Sequence, residues 1–171
     1  MTTTSIAQQT SSQKLYPSRI DLSEGMRVGV VEILSKTLAT TTDLKTQVKQ
    51  AHWNVKGKNF YQLHELFDEM AGELEEYTDT IAERITALGG TAMGTVRIAA
   101  AESLLAEYPV EIVDGVEHLN ALADRYAVYG KHLREAIAKT DELGDADTAD
   151  LYTEISRTID KRLWFLEAHL V

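Results

Sequence analysis

The chain has 171 residues, with 17 Lys and Arg against 27 Asp and Glu for a formal net charge of −10, and it contains no Cys. That length suits one domain, and the lack of Cys excludes disulfide scaffolds, thiolate zinc sites and thiol catalysis. At 44% hydrophobic residues the chain can build a core, yet no apolar run approaches the ~20 residues of a membrane span; the acidic balance disfavours a folded surface that grips phosphate backbones and favours cations as partners.

Residues 1–20 are rich in Ser, Thr and Gln and carry only Lys14 and Arg19 as charges, so they read as a mobile tail ahead of a single domain over 21–171. The leader has no apolar stretch of the secretory kind, which makes the cytoplasm the expected location. Asp21 followed by Glu24 is a capping pattern, and Val31, Leu34, Leu38, Val48 and Val55 recur at helical spacing until Gly57, predicting a first helix over about 22–56. A second helix over about 60–88 carries one apolar stripe, Leu63, Phe67, Met70, Leu74, Tyr77, Ile81, Ile85 and Leu88, and stops at Gly89-Gly90. The segment 91–111 is too long for a tight turn and holds a short Ala-rich helical piece, 96–105, before Tyr108-Pro109. Leu119, Leu122, Tyr126, Leu133 and Ile137 mark a third long helix over about 114–140, and Leu151, Ile155, Ile159, Leu163 and Leu166 a fourth over about 148–169. Two short links flanking one long link predict an all-α four-helix bundle of ferritin-like topology, whose crossover carries the short extra helix between helices two and three.

The second helix carries the chemistry. From Asn59 to Glu83 it has eight acids (Glu65, Asp68, Glu69, Glu73, Glu75, Glu76, Asp79 and Glu83) and no Lys or Arg. A merely solvated face usually intersperses opposite charges at i, i+4, and bound cations would relieve this repulsion. At 100° per residue His64, Asp68, Asp79 and Glu83 share an arc roughly 150° from the apolar stripe. They form two half-sites, His64/Asp68 and Asp79/Glu83, whose ligands lie about 6 Å apart within each and which stand ~22 Å from each other along the axis. One chain cannot close them on one ion. An antiparallel two-fold partner can, with the centre of exchange beside Glu73, and Gly72 on the same arc permits close approach. His52 and His64 are each six residues from Lys58, so a hairpin about Gly57-Lys58 sets them level. Two imidazoles with three carboxylates and no thiolate suit iron or manganese, with zinc as competitor. No Glu-x-x-His, the motif of in-bundle di-iron sites, occurs in the chain.

The stretch AHWNVKGKNFYQLHELFDEM, its continuation YTDTIAERITALGG and the close DADTADLYTEISRTIDKRLWFLEAHL resemble the Dps proteins, the ferritin-like DNA-protection proteins of starved bacteria, over roughly residues 20–170. The resemblance implies a hollow dodecamer built from two-fold dimers, a ferroxidase that oxidises Fe2+ to Fe3+ with hydrogen peroxide in preference to dioxygen, two irons per site, and a ferric mineral stored inside as protection against oxidative stress. It carries His52, His64 and Asp68 over as ligands from one subunit and Asp79 and Glu83 as those from its mate, with Trp53 as the aromatic beside the iron. Trp53 then either donates an electron or packs at the dimer seam. Asp145, Asp147 and Asp150 fall where the family lines a three-fold iron-entry pore; acids there are equally ordinary helix caps. His118, His132 and His169 are expected to be surface or packing residues, and Trp164 core or interface. The tail is poor in Lys, so DNA association is expected to be weak or absent; the alternative function is a DNA-compacting, nucleoid-associated protein with secondary ferroxidase activity.

Overall fold

The computed structural model describes residues 15–171. It contains α1 (Glu24–Asn54), α2 (Phe60–Ala87), α3 (Val96–Glu102), α4 (Gly115–Glu142) and α5 (Ala146–Glu167), with no strand among the described residues. The four long helices and the short one match the expected architecture, with boundaries displaced by a few residues, as fraying ends allow. α1 pairs with α2 and α4 with α5 as two antiparallel hairpins, while α3 lies against α1 within the crossover.

Local chemistry explains each end. The expected Asp21/Glu24 box is not what caps α1: the Ser23 side chain accepts from the Met26 N–H at 3.3 Å. Thr95 and Asp114 cap α3 and α4 in the same way. α2 ends where Gly89 takes φ +87° and the Gly90 N–H returns to the Ile85 carbonyl. A Cβ at Gly89 would stand 2.4 Å from the Tyr16 carbonyl oxygen, so only glycine allows the N-terminal segment to lie across the end of α2.

That contact revises the expected tail. The Tyr16 N–H donates to the Gly89 carbonyl at 2.7 Å, and Leu15 and Ile20 pack on the core, so the docked chain already includes residue 15. Residues 1–14, including Lys14, lie outside the described part of the structure.

The core contains the apolar stripes read from the sequence, and three phenols lie fully inside it: Tyr126, Tyr129 and Tyr152. For two of them α1 supplies the hydroxyl's partner. Thr41 meets the Tyr129 hydroxyl at 2.5 Å and Thr37 the Tyr152 hydroxyl at 2.8 Å, while Thr37, Thr40, Thr41 and Thr42 each donate to the carbonyl four residues back. The crossover is pinned by Arg125, which donates to Gln47 and to the Glu107 carbonyl, both at 2.7 Å. The Lys56 N–H donates to the Val113 carbonyl at 2.8 Å, tying the α1–α2 turn to the start of α4.

Candidate metal centre

The α1–α2 turn sets His52 and His64 face to face. Their rings stack with centroids 3.8 Å apart and planes 19° from parallel, which realises the levelling expected from their equal distance to Lys58. Each ring also bonds the other residue's backbone: His52 Nδ1 lies 2.8 Å from the His64 carbonyl and His64 Nδ1 2.9 Å from the His52 carbonyl. A carbonyl only accepts, so both Nδ1 atoms carry protons and donate. In the neutral rings the lone pairs therefore sit on Nε2, the arrangement that orients an imidazole for a metal.

Asp68 lies one turn beyond His64. Its Oδ1 lies 3.9 Å from His52 Nε2, a separation that one ion can bridge with bonds of about 2.0–2.2 Å to each atom. The same oxygen receives Lys49 Nζ at 2.6 Å, and that ammonium holds the Asp68 carboxyl below the usual carboxylate range. Trp53, next to His52, is 67% exposed. It is thus no packed core residue in this chain, and Lys49 Nζ lies 5.9 Å from its ring centre.

Asp79 and Glu83 are exposed on α2 and do not join this group. Asp79 is eleven residues past Asp68, about 16 Å along the axis. Among the described residues of one chain, no three His, Cys, Asp or Glu side chains lie close enough together to hold a metal ion.

The acidic run on α2 is less isolated than its sequence suggests. Lys45 pairs with Glu75 and Lys49 with Asp68 from α1. Arg162 of α5, itself buried, donates through Nε and Nη2 to both oxygens of Glu73 at 2.8 and 2.7 Å and reaches Glu69 at 3.3 Å. Neighbouring helices therefore supply cations that a single-helix reading omits. Asp79 and Glu83 receive none of them.

The three acids at the start of α5 separate. Asp145 is buried; it accepts from the Thr148 N–H and hydroxyl and pairs with Arg84 at 2.7 Å. Its carboxylate is a cap and an ion-pair partner, which corrects its grouping with pore-lining acids. Asp147 and Asp150 remain exposed. Of the other histidines, His118 is fully buried against Phe67 and bonds the Tyr108 hydroxyl at 2.7 Å, His132 bonds Thr37 at 2.9 Å, and His169 bonds the Phe165 carbonyl at 2.7 Å. Trp164 is 62% exposed, which rules out the core half of its expectation. Lys49 was absent from the expected site, although its position three residues before His52 puts it on the same helix face.

The ferritin-like domain family matches residues 31–171, and with the paired hairpins and crossover this defines a ferritin-like protein. The DNA protection during starvation protein of Agrobacterium fabrum is 43% identical over 157 residues, covering 92% of this chain and 97% of that one. The protein of that name from Mycolicibacterium smegmatis is 34% identical over 149 residues, covering 87% and 81%. Among solved structures, DpsC from Streptomyces coelicolor has a TM-score of 0.89 at 34% identity and covers 92% of both chains, and Mycobacterium smegmatis Dps has 0.85 at 33%, covering 92% and 93%. The chain belongs to the Dps family of DNA-protection-during-starvation proteins. Membership carries the general role of iron storage and protection under stress. No helix among the described residues is long and apolar enough to cross a membrane.

Proposed function

We propose that the protein is a ferroxidase whose oxidation sites form between two-fold related subunits of a dodecamer, with Fe2+ and hydrogen peroxide as substrates and a ferric mineral as the stored product. The observation that carries this reading is the incomplete site. His52 and His64 stack with their Nδ1 atoms committed to carbonyls, Asp68 Oδ1 stands 3.9 Å from His52 Nε2, and Asp79 and Glu83 stand without cations further along the same helix, so the described residues of one chain do not complete a metal site. Gly72 lies between the halves, and a Cβ there would meet nothing within 4 Å in its own chain. Its lack of a side chain serves no packing inside this chain, as expected where a second helix approaches.

The reaction balances without a radical. Two Fe2+ each give one electron to one peroxide, the O–O bond breaks, and two protons complete two waters. Holding two irons together makes the two-electron step available, whereas one iron alone would release hydroxyl radical. His52 and His64 orient Nε2 through their Nδ1 bonds, and Asp68, Asp79 and Glu83 supply the negative charge that binds ferrous and stabilises ferric iron. Zinc suits the same donors and would act as a competitor. Trp53, exposed beside His52, would either pack at the subunit seam or give up an electron.

Mixing two defective subunits tests the reading. Glu83→Ala dimers and His52→Ala/His64→Ala dimers should each oxidise iron poorly, and reassembled hybrids should recover part of the wild-type rate, because some interfaces regain one intact site. Equal Fe2+ affinity in forced monomers and in the assembly would overturn the two-chain geometry. DNA compaction as the main activity has less support: the chain is acidic overall, and a salt-sensitive association through the N-terminal segment is the most its charge allows.

A further inference from the structure

In the described chain the metal half-site already holds a cation of its own. Lys49 Nζ stands 2.6 Å from Asp68 Oδ1, and that same oxygen faces His52 Nε2 at 3.9 Å. The ammonium thus competes for the oxygen that a metal shared by His52 and Asp68 would use. Lys49 is only 30% exposed and Asp68 is 56% exposed, so the pair sits at the edge of the groove lined by Lys45, Lys49, Asp68, Ala71, Gly72 and Glu75. The Trp53 ring centre also lies 5.9 Å from the ammonium, a second favourable surface within reach of the flexible stem.

Resting on the metal-site reading above, we infer that Lys49 is a built-in competing cation: it occupies Asp68 until a divalent ion displaces it, and so sets the affinity threshold of the centre. The physical logic is competition for one oxygen. A partly exposed ion pair is weak, so a dication can displace it. A dication offered only two neutral imidazoles and one carboxylate, however, must also overcome the repulsion of the displaced ammonium, which remains tethered nearby. When a second subunit adds Asp79 and Glu83, the balance turns toward the metal. Lys49 would then discourage occupancy of an isolated half-site, where a single iron could not complete the two-electron step, while costing the assembled site little. It is a positioning and selectivity residue, not a ligand.

Zn2+, which has no redox chemistry, is the probe, titrated by calorimetry into the assembled protein. Lys49→Met should bind Zn2+ more tightly than wild type by roughly three- to tenfold, with Lys49→Gln following it and Lys49→Arg staying near wild type. Asp68→Asn supplies the control: once the contested oxygen is gone, Lys49→Met should gain much less, so the two changes are coupled. Trp53 emission, read in a Trp164→Phe background, should shift along the same isotherm, because the ammonium changes its distance from the ring. Unchanged or weaker Zn2+ binding in both Lys49→Met and Lys49→Gln overturns the competition, as does an equal gain in the Asp68→Asn background, which would mean a general charge effect. If wild type binds Zn2+ no better than His64→Ala, the metal-site reading itself falls, and this inference with it.

Discussion

At the residue scale, the proposed half-site is organised by which atom of each imidazole is already committed. Nδ1 of His52 and of His64 donates to a backbone carbonyl, so ring rotation is blocked from two sides, by the bond and by the stacked neighbour. Asp79 plays the complementary part of an unpaired carboxylate. Asp79→Ala should lose pairing of the two irons before it loses all iron binding, so spin trapping during peroxide-driven Fe2+ oxidation should detect hydroxyl radical in the variant and little in wild type. Equal radical yields would argue that pairing is not what makes the reaction safe. His118 illustrates a group outside the chemistry. Burial in an apolar pocket lowers its pKa below the ordinary imidazole value, and burial does the same for His132. Above the unfolded pKa of about 6.5 both states are neutral there and nothing is lost. As pH falls below it, the unfolded chain binds protons that the native chain refuses, and stability declines. Urea midpoints measured from pH 7.5 to 5 should therefore fall less in His118→Gln than in wild type.

At the element scale, the start of α5 separates capping from steering. Asp145 holds Thr148 and Arg84 while only 2% exposed. Asp145→Ala leaves a largely buried guanidinium unpaired and should cost about 3 kcal/mol in chemical denaturation. Asp147→Asn/Asp150→Asn, on exposed positions, should change stability by no more than about 0.5 kcal/mol. If these two carboxylates steer iron toward an entry path, the double variant should slow iron uptake at low salt, and its difference from wild type should shrink as ionic strength rises. Stopped-flow oxidation across a salt series checks this, and identical low-salt rates would place the entry path elsewhere.

At the scale of the whole molecule, α2 faces two ways. Its apolar stripe enters the bundle, and its other side carries a groove of about 380 Å³ that runs past Gly72. Gly72→Leu separates the fold of the chain from its assembly. Leucine should raise helix propensity by about 0.8–1 kcal/mol over glycine, and the added side chain has no neighbour to strike in the same chain. Circular dichroism should thus stay helical, while analytical ultracentrifugation should show smaller assemblies and iron oxidation should fall. Retained assembly with full activity would place the two-fold contact on another face.

Much of this was legible in the residues themselves. Periodicity at Leu63, Phe67, Met70 and Leu74, the break at Gly89-Gly90 and the long link before α4 sufficed for the bundle, because apolar spacing and chain length are local properties. The levelling of His52 with His64 followed from counting residues about a hairpin. Partners that come from other helices were not legible. Arg162 on Glu73 and Glu69, Lys49 on Asp68 and Arg84 on Asp145 each join residues at least 19 positions apart, and their pairing depends on which faces the bundle brings together. The same holds for Trp164, whose hydrophobicity suggested burial but whose place on α5 turns it outward. Sequence by itself determined the helices and offered the candidate donor set; tertiary structure decided which of those side chains are already paired, because charge pairing is settled by distance in space and not along the chain.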